Sequence, residues 1–402
     1  MIITCNNILT LPHLERMKIV AGRDGLDRII SWVHVVENPE HSAWLKGGEL
    51  LLISGINIKG DLKALLDFIK DIHSRNVAGV VINVGPYIES VPKEVIDLGD
   101  LLNFPIFELP FEVKFIDISQ SVCRAIFMSK IEQESMESFI EDIIYTDSTV
   151  TDDVLNRAIL YGYKPEKSYY SFFISINNFE TFVKNNQIAE EEKILQIKQR
   201  IQHIIIDIMN RWNKKSIYTI RREAVILMFP INKKDNVNSI AEEIVNNIRM
   251  KIQGITVNIG IGRPWSHLKD FRKSVHEAQK ALKILKIGGK KDSISNYSDM
   301  GIYRLFFEID KYEEMKELYH ETLDELINYD LKNSTNLVDT LEAYIEEGGN
   351  LTSTSKRLFI HKNTVKYRVK RIEEILGCDL RNIKHLFNFS IALKIGKFLK
   401  SI

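Results

Sequence analysis

The residues best suited to chemistry lie near the end of the chain, in the run 358–377, "LFIHKNTVKYRVKRIEEILG". Residues 356–372 hold seven Lys and Arg and no acid, so ion pairing one helical turn apart within the run cannot account for the charge. Asn363 and Thr364 add side chains that hydrogen-bond to base edges or phosphate oxygens. This set suits non-covalent capture of a polyanion with some reading of its sequence. Charged residues on an isolated exposed helix are ordinarily only solvated, so the angles and the neighbouring elements must decide.

With a step of about 100° per residue, Val369, Ile372 and Leu376 fall within about 40° of Val365 and form with it an inward face. On the opposite arc lie Asn363, Lys366, Tyr367, Lys370 and Arg371, with Thr364 at its edge and Lys362 and Arg368 on the flanks. The helix therefore carries one apolar and one basic, hydrogen-bonding stripe. Ahead of it, "NLVDTLEAYIEEGG" predicts a helix with Leu337, Leu341 and Ile345 on one face, ended by Gly348 and Gly349. "LTSTSKRLFI" predicts a second, short helix started by Thr352 or Ser353, and a turn over 359–361 leads into the basic helix. Two helices joined by a tight turn, the second basic, form the helix-turn-helix arrangement, whose partner is double-stranded DNA.

The charge of the whole chain hides this segment. The 402 residues carry 54 Lys and Arg against 54 Asp and Glu. From 351 to 402, twelve basic residues face three acids, a net of +9, which leaves the remainder at −9. A basic end on an acidic body is the asymmetry of a nucleic-acid-binding terminus. Cys5, Cys123 and Cys378 lie far apart, which suggests neither a disulfide framework nor a zinc site and fits a reducing cytoplasm. No signal-like start and no apolar run approaching about 18 residues is present, so neither secretion nor a membrane span is expected.

Further elements must position this helix. In residues 1–115 short apolar runs ("WVHVVE", "ELLLISG", "VAGVVINVG", "FPIFELP") alternate with helical patterns, which reads as a parallel α/β domain. Asp61 is the expected N-cap of a helix whose buried stripe is Leu62, Leu65, Leu66 and Ile69. Residues 116–165 read as a helical linker, either a connector laid on a domain or half of a dimerising coil. Residues 166–297 follow a β-α-β-β-α-β order, that of an α+β ferredoxin-like sheet, with "GGKKDSIS" as a loop. A helical bridge over 298–332 leads to the all-α end, 333–402.

At this point the residues resemble a family. "NLTSTSKRLFIHKNTVKYRVKRIEEILGCDL" is similar to the C-terminal helix-turn-helix of the PucR/CdaR-type bacterial regulators, itself similar to that of the Fis protein. "WVHVVENPEHSAWLKGGELLLISG" resembles the amino-terminal domain of the same family, and the central block resembles its GGDEF-like domain. The resemblance implies that Lys362, Asn363, Thr364, Lys366 and Tyr367 face DNA, with Arg368 and Lys370 nearer the phosphates. It also implies a metabolite effector, such as a purine breakdown product or an amino acid, and control of nitrogen or carbon catabolism genes, often as an activator.

Competing chemistries fare worse. "LKGGELLLIS" invites a phosphate-loop reading, but such a loop follows a strand and opens a helix, whereas Gly47 and Gly48 precede a strand. A tight turn is the better account. Active GGDEF domains need a Gly-Gly turn and metal-holding acids. This chain has "IRREA" over 220–224, so the middle domain is expected to be degenerate and not an enzyme. The ten histidines show no metal-ligand spacing, and neither G-x-S-x-G nor H-E-x-x-H occurs. His34 and Glu37 near a strand are by default packed or solvated. No catalytic residue, metal or cofactor is expected. The alternatives are a nucleotide-binding or cyclic-dinucleotide enzyme with a DNA-binding tail, and a pure protein-interaction module. A single such helix reads one half-site, so a homodimer or higher homo-oligomer is expected, with an effector changing the spacing of its two ends.

Overall fold

The computed structural model describes residues 2–58, 60–145, 150–186, 191–221, 224–232, 234–287 and 289–400. It divides into two compact units, one of residues 1–169, 176–256 and 266–269, the other of 170–175, 257–265 and 270–402.

The first unit begins with a five-stranded sheet: β1 (Lys18–Ala21), β2 (Trp32–Val35), β3 (Glu49–Ile53), β4 (Gly79–Val84) and β5 (Ile106–Pro110), in the order β1-β5-β4-β3-β2. Strands β2 to β5 are parallel, and β1 adds an antiparallel edge beside β5 that the sequence pattern does not signal. Both faces of the sheet are covered, so β3 is apolar without alternation after its first residue. Leu51 and Ile53 face the cluster built with α1 (Leu62–Ser74) and α2 (Lys93–Leu101), while Leu50 and Leu52 face Ile118 and Val122 of α3 (Phe115–Tyr145). Asp61 caps α1 by accepting from the Ala64 amide at 3.1 Å. The fully buried stripe of α1 is Leu65, Phe68, Ile69 and Ile72, with Leu62 and Leu66 only partly buried.

Gly47 and Gly48 form a turn with φ of 100° and 82°. The side chain of Glu49 fills it, accepting from the amides of Lys46 at 2.7 Å and Gly47 at 2.9 Å. A carboxylate of the chain itself therefore occupies the place a bound phosphate would need. Helix α3 buries apolar residues at both ends, Ile118 and Val122 at one and Phe139, Ile140, Ile143 and Ile144 at the other. Its Met136 sulfur accepts from the Tyr218 amide at 3.5 Å, which ties the second half of the helix to the same unit.

The unit continues with α4 (Asp152–Leu160), α5 (Phe179–Asn185), α6 (Glu191–Arg211), β7 (Ile217–Arg221), β8 (Ala224–Ile231) and α7 (Val237–Lys251). Arg222 and Glu223, at the centre of the "IRREA" turn, and Ala189 and Glu190, at the expected start of the long helix, lie outside the described residues.

Strand β6 (Ser168–Ile176), most of which belongs to the second unit, lies there with β9 (Val257–Ile261) and β10 (Ile294–Asn296) in the order β10-β9-β6. The reading of "GGKKDSIS" as a loop holds for 289–293, but its last two residues, Ile294 and Ser295, open strand β10. Three residues are too few to show periodicity, and the strand is held by its parallel pairing with β9. The buried Asn258 side chain, which accepts from the Ser293 amide at 3.1 Å and donates to the Lys290 carbonyl at 2.8 Å, pins the approach. Then come α8 (Phe271–Ile287), α9 (Tyr303–Phe306), α10 (Glu313–Asn333), α11 (Leu337–Glu346), α12 (Leu351–Leu358), α13 (Lys362–Leu376) and α14 (Ile383–Leu399). Among the described residues no helix is long and apolar enough to cross a membrane.

Candidate nucleic-acid interface

The basic helix is α13, and its supports are short-range. Helix α11 ends at Glu346 with Glu347 as its C-cap, followed by Gly348 and Gly349 at φ of 61° and 79°, a conformation that glycine adopts without a Cβ penalty. Helix α12 is capped by Asn350, not by Thr352 or Ser353: the Asn350 side chain accepts from both of their amides, at 2.9 and 3.1 Å. An Asn just outside the first turn reaches two orphan amides at once, and the two hydroxyl residues then sit inside the helix. The turn passes through Phe359, at φ 54°, to His361, whose Nδ1 accepts from the Asn363 amide at 3.2 Å and caps α13. Gly377, at φ 58°, ends the helix.

Val365, Val369 and Ile372 are buried as their spacing predicts, each contributing about 1.5–3 kcal/mol of burial. They pack on Leu337, Leu341 and Tyr344 of α11. Leu323 and Leu326 of α10 and Phe389, Ala392 and Leu393 of α14 complete the core. The segment read as a bridge thus supplies one wall, and α14, which no motif signalled, supplies another. Asp330 near the end of α10 accepts from the Leu337 and Val338 amides at 2.8 and 2.9 Å, which locks α10 to the start of α11.

The opposite face carries the candidate contacts. Lys362, Asn363, Thr364, Lys366, Tyr367 and Lys370 are exposed, Tyr367 to 71%. Arg368 is half-buried and donates from Nη1 to the Thr340 hydroxyl at 3.2 Å, so it braces α13 on α11. Arg371 donates to the Tyr329 hydroxyl at 3.2 Å and to Glu374 at 2.8 Å. Arg357 pairs with Glu346 and Glu347, which holds its guanidinium above the usual value. Pairing across helices is invisible in the local run of charge. Among the described residues Lys356, Lys362, Lys366 and Lys370 have no carboxylate within 4 Å.

Lys362, Lys366 and Lys370 succeed one another at about 6 Å of helix rise. Like charges at this spacing oppose the helix by roughly 0.2–0.5 kcal/mol each. A stripe that disfavours its own helix is relieved by a polyanion laid along it. Phe359, 94% exposed in the turn before α13, is a feature the sequence reading missed. An aromatic in place of the usual turn glycine was its only signal.

Helices α11 to α13 on their supporting core define a helix-turn-helix protein. Comparison with known proteins agrees along the chain: residues 7–126 match the "Purine catabolism regulatory protein-like family", 146–284 the "GGDEF-like domain" and 337–395 the "PucR C-terminal helix-turn-helix domain". The chain belongs to the PucR-type family of transcriptional regulators. It is 30% identical over 244 residues to the proline-responsive transcriptional activator PutR of Bacillus subtilis, a match spanning 58% of each chain. It is 21% identical to the purine catabolism regulatory protein of the same organism, over 98% of this chain and 99% of that one. It is 20% identical to the transcriptional activator PmfR of Paenarthrobacter nicotinovorans, over 98% and 97%.

Proposed function

We propose that the protein is a ligand-responsive transcriptional activator of catabolic genes, in purine or amino-acid nitrogen metabolism. It contacts double-stranded DNA through Lys362, Asn363, Thr364, Lys366, Tyr367 and Lys370, with Arg368 bracing the helix beside the phosphates. The observation that carries this reading is the exposed, unpaired lysine stripe of α13 on a buried helix-turn-helix core. The functions of PutR and of the purine catabolism regulatory protein support the choice of target genes.

The succession of strands and helices from β6 to β9 supports a ferredoxin-like middle domain, and the missing Gly-Gly turn supports a non-catalytic one. The packing of α10 supports a DNA-binding domain that begins before residue 333. We assign a cytoplasmic location and a homodimer or higher oligomer, which places two recognition helices about one DNA turn, roughly 34 Å, apart. The effector acts through differential binding to two arrangements of the chain.

The test is binding of the full chain to DNA upstream of its own and neighbouring genes at two salt concentrations. Sequence-selective binding that weakens in Asn363→Ala and Lys366→Ala supports the proposal; no binding to any fragment overturns it.

A further inference from the structure

Within the second unit, β10, the turn after it and α14 line an open cleft of about 440 Å3. That volume lies within the roughly 300–1,000 Å3 of small-molecule sites. Ile284, Ile294 and Ile302 supply apolar wall, and Ser295, Asn296, Asp299, Tyr303 and Lys394 bring polar groups.

Two of those groups are opposite charges left unpaired. Lys394 of α14 is half-buried, and its ammonium stands 5.7 Å from the centre of the Tyr303 ring. Among the described residues no carboxylate lies within 4 Å of it. Two lysines nearby are engaged instead: Lys397, on the same helix, meets Glu342 and Glu346, and Lys280 meets Glu308. Asp299, also lining the cleft, has no cation within 4 Å among the described residues, Lys394 included. A partly desolvated cation held against an aromatic face gains most from an anion delivered to it. A carboxylate too far to reach that cation favours a second, positive group on the same molecule. The Asn296 side-chain oxygen is engaged by the Ser298 amide, which leaves its NH2 as a donor near the cleft.

We propose that this cleft binds a small zwitterion of the amino-acid class, its carboxylate on Lys394, its ammonium on Asp299 and its carbon body against Ile284, Ile294 and Ile302. Lys394 follows directly on Ala392 and Leu393, which pack in one core with Val365 and Val369 of α13. Asp299 adjoins Met300, which packs with Ala281 of α8. A ligand bridging the two charges ties α14 to the α8 side of the unit and changes the freedom of the core that carries α13. This last step rests on the regulator reading above; binding itself does not.

The experiment uses the full chain and the standard amino acids, each up to roughly 10 mM, with acetate and ethylammonium as half-ligands, read by calorimetry and by melting temperature. At least one amino acid should bind saturably, with Lys394→Met and Asp299→Asn each weakening it by about tenfold or more. Ser295→Trp, which fills the cleft from a partly exposed position, should abolish binding even if a charge variant folds poorly. Each half-ligand should bind far more weakly. No binding by any amino acid, or binding that survives all three substitutions, overturns the proposal. Acetate binding as tightly as the amino acid with Asp299→Asn silent overturns the zwitterion class. DNA binding is measured on the same samples: DNA bound without amino-acid binding fails the cleft alone, whereas amino-acid binding without DNA binding fails the regulator reading alone.

Discussion

Arg368 on the basic helix donates from Nη1 to the hydroxyl of the fully buried Thr340, which itself donates to the Asn336 carbonyl at 2.7 Å. The bond ties α13 to α11, two helices earlier. Arg368→Ala should therefore lower stability by about 0.5–1.5 kcal/mol, since Thr340 keeps its own acceptor. A denaturation midpoint unchanged in Arg368→Ala would show that the contact supports nothing.

The exposed lysines should behave differently. Lys362→Ala, Lys366→Ala and Lys370→Ala should each leave the melting temperature near the parent and lower the slope of log affinity against log salt by about 0.9 per lost phosphate contact. Asn363→Ala should instead narrow the gap between specific and unrelated fragments, by about 1–3 kcal/mol if its amide reads a base bidentately. Titrations at several salt concentrations separate the two, and equal effects of Lys366→Ala and Asn363→Ala on the slope would refute the division of roles.

Phe359 combines φ 54° with 94% exposure. A bulky residue in the left-handed region costs about 1–2 kcal/mol, while so exposed a ring returns little packing. Phe359→Gly should raise stability by about 0.5–1 kcal/mol once the extra freedom of the unfolded glycine is deducted. If the substitution destabilises the chain, the ring holds a packing contact in solution.

His203 and His73 make stability depend on pH in a defined direction. Burial lowers His203 below the ordinary value, against Asp27 and Asp207 and with Lys251. Burial and then Arg28 lower His73. A histidine with a depressed folded value binds fewer protons folded than unfolded. Its contribution is complete above the unfolded value, about 6.5, and is lost as pH falls from there toward the folded value. Melting temperature should fall between about pH 7.5 and about pH 5.5, and His203→Gln should flatten the drop. Asp71 and Asp235, lowered by their partners Ser42, Arg75 and Lys214, lose their contribution in a separate window below about pH 4. A midpoint that rises on acidification would contradict the assignment.

Much of the interface was legible because it is local. Val365, Val369 and Ile372 repeat at helical spacing, and a 3.6-residue period needs no distant partner to declare its buried face. Gly377 and Asp61 mark helix ends through their own backbone needs. The start of α12 was misplaced by two or three residues because Asn350, Thr352 and Ser353 are all good caps and only the realised hydrogen bonds distinguish them. Strands β1 and β10 were missed because four and three residues draw their order from ladders with β5 and β9, far away in the chain.

The sequence by itself determined the basic helix, its inward stripe, the basic end on an acidic body and the absence of the glycines that a cyclase turn requires. Each follows from residue type and short-range spacing. Tertiary structure decided which positive charges remain available. Arg357, Arg368 and Arg371 look equivalent to the lysines in a string of letters, yet their partners Glu346, Thr340 and Tyr329 lie 11, 28 and 42 positions away. It also brought Asp299 and Lys394, far apart in the chain, to one cleft. Side-chain pairing and cavities depend on which helices pack together, and that depends on the closure of the whole core.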